Sequence, residues 1–139
     1  MPVPDQIDVY YDDRKPPIEC SSLEEVDAVL DKLHQGVDPT KVPLMVAIKV
    51  FGHEIDMGLG TDPTFICLQI EPCDGEYYLA VGDQVKGERR MFYGAGQDSY
   101  WEPENLIPLE SSRSAARHFI QHQLRSPDVR WQDWKSPDV

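Results

Sequence analysis

Apolar and polar positions change rhythm several times along the chain, and each change marks an element. Ile7-Asp8-Val9-Tyr10 alternates and predicts a short strand. Arg14-Lys15-Pro16-Pro17 ends it, because two prolines remove two backbone donors. Leu23, Val26, Leu30 and Leu33 then recur at helical spacing, with Val29 beside them. Ser21 or Ser22 can cap that helix, and Glu24 or Glu25 three residues on completes a capping box. Glu24, Asp27 and Asp31 fall off the apolar stripe and are expected to face solvent, while Gly36 and Pro39 stop the helix.

The rhythm then shortens. Leu44 to Phe51 is a mostly apolar run of strand length and predicts a central strand. Gly52 to Pro63 holds glycines and a proline, and is expected to be a loop or an irregular, bulged strand. Thr64–Ile70 and Tyr77–Val81 flank Pro72-Cys73-Asp74-Gly75, and the Asp-Gly pair predicts a hairpin turn. Arg89 to Tyr93 adds a strand ended by Gly94-Ala95-Gly96. A second helix is expected from Pro108 to about Leu124, with Leu109, Ser112, Ala116, Phe119, Ile120 and Gln123 on its inner face. Pro127 breaks it, and Val129-Arg130-Trp131 resumes extended structure. The order β-α-β-β-β-β-α-tail describes an α+β protein, an antiparallel sheet meander covered by two helices.

The length of 139 residues suits one domain, 1–139, and a hydrophobic content of 40% provides for a core. No apolar run approaches the roughly 20 residues of a membrane helix. No secretory signal is visible at Met1-Pro2-Val3-Pro4-Asp5. Cys20, Cys67 and Cys73 form no Cys-x-x-Cys pair, so neither a disulfide framework nor a zinc knuckle is indicated and a cytoplasmic protein is expected.

Motifs for chemistry are incomplete. His53-Glu54 opens like a zinc-protease signature, but Met57 stands where its second histidine belongs. His118 and His122 lie four apart on the second helix and could share a metal, with no third ligand specified. Gly58-Leu59-Gly60 lacks the rest of any phosphate-binding loop, which leaves a loop or bulge role. Cys67 fits a buried strand position. No catalytic residue, metal or cofactor is assigned.

Charge narrows the partner. The net charge is −12, which disfavours nucleic acid and anionic membranes and attracts basic proteins. Val50 to Val85 contains no Lys or Arg, and Glu54, Asp56 and Asp62 begin its run of acids. Met91 to Ser112 also lacks bases, against Asp98, Glu102, Glu104 and Glu110, with Tyr100 and Trp101 on what reads as a loop. Aromatic anchors among complementary charges make a binding hot spot. The alternative has Trp101 folded inward as a plug. Candidate partner-binding residues are therefore Glu54, Asp56, Asp62, Asp98, Tyr100, Trp101, Glu102 and Glu104.

The succession Gly58-Leu59-Gly60, paired strands, Met91-Phe92-Tyr93-Gly94, Ile107-Pro108 opening a helix, and Arg125-Ser126-Pro127-Asp128-Val129-Arg130-Trp131 resembles the first-numbered family of immunity proteins from bacterial polymorphic toxin systems. The likeness spans roughly residues 44–134; Ser126 between Arg125 and Pro127, a second tryptophan at Trp134, and the segment from Gln97 to Asn105 depart from it. The resemblance implies a small α+β inhibitor, not an enzyme, encoded beside a toxin of the deaminase class. It also places Trp131 in the fold's signature, as a core or edge plug. An acidic protein can occupy the basic cleft of a nucleic-acid-acting enzyme by steric plugging and fast association. Two other readings stay open: a small metal-dependent enzyme using His118, His122 and a carboxylate, and an acidic adaptor unrelated to toxins.

Overall fold

The computed structural model describes residues 6–70, 77–83, 86–94 and 96–134. Among them, nine strands and two helices follow the order β1 (Ile7–Tyr10), β2 (Ile18–Cys20), α1 (Leu23–Gln35), β3 (Leu44–Val50), β4 (His53–Leu59), β5 (Ile66–Gln69), β6 (Tyr77–Val81), β7 (Arg90–Gly94), β8 (Gln97–Trp101), a 3₁₀ turn (Pro103–Asn105), α2 (Leu109–His122) and β9 (Arg130–Trp134). The sheet runs β2-β1-β3-β4-β5-β6-β9 with antiparallel neighbours. The β7–β8 hairpin joins it through one parallel pairing, Leu44 with Tyr93. The α+β sheet with two helices matches the expected architecture.

Three strands lie outside the expected order. β2 is a three-residue edge beside β1. The segment expected as loop or bulge is the regular strand β4, paired residue for residue with β3. Tyr100 and Trp101 belong to strand β8, not a loop. The extended tail is β9, which adds an edge strand beside β6. The Asp74-Gly75 turn and Cys73 lie outside the described residues, although β5 and β6 pair as a hairpin requires.

Period-two alternation decides what each sheet face carries. Val9, Val46, Ile48, Ile55, Met57, Leu59, Ile66, Leu68 and Ala80 point to one face and meet Val26 and Leu30 of α1 and Ala115, Ala116, Phe119 and Ile120 of α2 in one buried cluster. Ser22 caps α1, its Oγ accepting from the Glu25 amide at 3.1 Å, and Glu25 reaches back to the Ser21 amide at 2.7 Å. That is the expected box, with its return bond shifted by one residue.

Asp31 is exposed as expected, whereas Asp27 is half-buried, and both meet arginines of the second helix. Arg113 of α2, its side chain only 11% exposed, donates to Asp27 at 3.2 Å and to Asp31 at 2.9 Å, and Arg117 also reaches Asp27. Removing the guanidinium would leave carboxylates crowded between two helices, so this bridge fixes helix against helix. Asp27 and Asp31 are thus paired within the fold.

On the opposite face, the β7–β8 hairpin folds over one end. Phe92, Phe65, Met45 and Leu106 form a second buried cluster with Trp101 packed against it. Glycine makes the approach possible: a Cβ at Gly58 would strike the Phe92 ring, and one at Gly94 the Met45 carbonyl. Gly58 is therefore a strand residue selected for closeness, rather than part of a loop.

Candidate functional site

The sheet face away from the helices is covered by the hairpin only near the start of β3. Beyond it, the register sets Glu19, Asp8, Lys49, Glu54 and Gln69 in one row across β2, β1, β3, β4 and β5. Three acids thus face one lysine, whose Nζ is held 4.9 Å from the centre of the Tyr10 ring. The next row sets Tyr10, Ala47, Asp56 and Cys67 side by side.

Glu54 and Asp56, two apart on β4, point to this same face. Asp56 is mostly buried, and its Oδ1 has no hydrogen-bond partner. Burial first, then the hydrogen bond and negative charge of Glu54, push its carboxyl up to about 8, with Lys49 pulling weakly the other way. At neutral pH Asp56 is therefore chiefly protonated. Cys67 beside it is held as a thiol, its ionisation opposed by burial and by Asp56 and Glu54.

The remaining candidates separate by environment. Asp62 accepts from the Leu109 amide at 3.0 Å, capping α2, whose N-cap residue Pro108 offers no side-chain acceptor. Trp101 lies flat on Phe65, ring centres 3.8 Å apart and planes 10° from parallel, and its Nε1 donates to Ser99 Oγ at 2.9 Å. It is folded inward, as the plug alternative held. Alternation along β8 sends its neighbours the other way: Asp98 and Tyr100 are exposed, opposite Tyr93 and Met91. Tyr100 lies 57% exposed with the Arg89 guanidinium 5.3 Å from its ring, and Arg89 also approaches Glu102 at 3.9 Å. Glu104 is exposed on the 3₁₀ turn, which Asn105 anchors by donating to the Ala80 carbonyl at 3.1 Å.

The structure therefore brings Glu54 and Asp56 together, and Asp98, Tyr100 and Glu102 together around the hairpin. It assigns Asp62 and Trp101 internal contacts. Tyr93, half exposed opposite Asp98, was not among the candidates. Pairing β7 with a following strand would have exposed it, since Phe92 faces in and Tyr93 must then face out.

His118 and His122 lie with ring centres 4.7 Å apart and planes tilted by 50°. Among the described residues no group of three or more His, Cys, Asp or Glu side chains is placed to hold a metal ion. No helix there is long and apolar enough to cross a membrane. Trp131 packs against the main core and donates to the Ser126 carbonyl at 3.0 Å, the edge plug that was expected.

Fold and site together describe a small α+β domain presenting acids and tyrosines on its non-helical side. The family model for immunity protein Imm1 matches residues 14–133, and the chain belongs to that family of immunity proteins, whose partners are toxins. No curated protein matches the chain.

Proposed function

We propose that this chain is a cytoplasmic, non-enzymatic inhibitor of a nucleic-acid-acting toxin of the deaminase class. In this reading its non-helical face covers the toxin's basic active-site cleft. One observation carries the assignment of the face: on the helical side Asp27 and Asp31 are engaged by Arg113 and Arg117, whereas Glu19, Asp8 and Glu54 share a row whose one base is Lys49. Field lines from unneutralised carboxylates favour a cationic partner there and disfavour nucleic acid itself. Asp98, Tyr100, Glu102 and Glu104 extend the same side around the hairpin. Tyrosine supplies contact area at low entropic cost, and the flanking acids supply steering. Asp56 acts by fixing Glu54; Asp62 and Trp101 act through the fold.

Growth of cells expressing the toxin encoded beside this chain tests the reading. Co-expression of the chain is expected to restore growth, and deamination of cellular nucleic acid should fall with it. Unchanged killing with the chain present at comparable level would overturn the assignment.

A further inference from the structure

The far end of the open face carries a feature that the acids do not explain. β3 and β4 pair up to Val50 and His53, so their connection is only Phe51-Gly52. Both residues have positive φ, 54° and 80°, the signature of a type I′ turn. Gly52 suits it. Phe51 does not, because a bulky side chain in the left-handed region is a genuine outlier where asparagine is the preferred residue.

Burial does not offset that strain. Phe51 is 42% exposed, while the next residue but one, His53, packs edge-on against Phe119 at 5.5 Å. The turn also projects: a Cβ on Gly52 would meet no atom within 4 Å. An aromatic residue thus remains exposed at the turn in a conformation that another residue would adopt with less strain.

Its surroundings state the partner's chemistry. Glu54 is the nearest charged residue on β4, opposite Lys49, and no lysine or arginine follows Phe51 until Lys86. β3 separates this tip from the β7–β8 hairpin by its whole length, about 20 Å at 3.4 Å per residue. A partner seated on the open face would meet Tyr100 at one end and Phe51 at the other, a span suited to a standard-size interface.

We infer that Phe51 is an anchor of the toxin-binding surface, inserted by the β3–β4 turn into an apolar pocket rimmed by basic side chains on the toxin. The inference rests on the toxin-inhibitor reading above. The strain sets the turn's form before binding, and the ring supplies buried area at the interface.

The test uses the full chain and the purified toxin domain encoded beside it. Phe51→Asn relieves the turn, so its melting temperature should equal or exceed that of wild type. Its affinity for the toxin should nevertheless fall by about 30-fold or more, the hot-spot range, mainly through faster dissociation. Phe51→Tyr should keep most of the affinity. Wild-type affinity in Phe51→Asn overturns the anchor and leaves the inhibitor reading standing. Failure of the wild-type chain itself to bind the toxin overturns both.

Discussion

Asp56→Asn is the substitution whose consequence follows most directly from the geometry. The asparagine amide has the shape of a protonated carboxyl and can still donate toward Glu54, so packing is kept while ionisation is removed. In wild type the folded state retains a proton on Asp56 up to about pH 8, whereas the unfolded chain releases it near 3.8. Between those values the folded state binds more protons, and stability must fall as pH rises. The stabilisation from protonated Asp56 is complete below about pH 4 and gone above about pH 8. One proton difference corresponds to about 1.4 kcal/mol per pH unit. Allowing for partial ionisation near pH 7.5, wild type should lose about 2–3 kcal/mol relative to the variant between pH 5.5 and 7.5. Urea unfolding followed by circular dichroism, with both proteins in the same buffers, cancels the titrating groups remote from the site. Lys49, Glu54 and Cys67 face the site in both. Parallel stability curves across that range would refute the buried, protonated pair.

Other expectations concern the tryptophans and the charge. Trp101→Ala should lower stability by about 3 kcal/mol, since a ring stacked on Phe65 is lost from the second core. A wild-type melt combined with weakened toxin binding would instead place Trp101 in the interface. Trp131→Ala should cost about 3 kcal/mol, at the low end for aromatic truncation because the ring is only half buried; melting at the wild-type temperature would contradict it. Association with the toxin should slow by roughly tenfold or more on raising salt, as screening removes steering by the net charge of −12. A stopped-flow on-rate that is flat with ionic strength would exclude steering.

Long periodic segments were legible from the sequence, and short or compromised ones were not. The Leu23, Val26, Leu30 stripe and the Phe119-Ile120 face specify α1 and α2 because helical spacing and burial agree. β4 was obscured by its glycines. Its alternation of Ile55, Met57 and Leu59 with Glu54, Asp56 and Gly58 is strict, but Gly58 exists to admit Phe92, a contact made by a strand more than thirty residues later. β8 reads as polar loop because one of the residues it turns inward is a serine: Ser99 meets Met45, and Trp101 meets Phe65. The site was legible to the same degree. Acids without neighbouring bases were visible, but which of them the fold neutralises depended on where Arg113 lands. Asp62 reads as a surface carboxylate because nothing in its own segment shows that α2 begins beside it. Phe51 became visible only with β4 in place, since its turn is defined by the pairing on both sides.

Direct inhibition is the central claim, and titration tests it. Purified toxin is held at fixed concentration, its nucleic-acid deaminating activity is measured, and the chain is added in increasing amounts at low ionic strength. The expected result is a linear fall in activity that reaches background at one chain per toxin. Full activity at a tenfold excess of folded chain would contradict it.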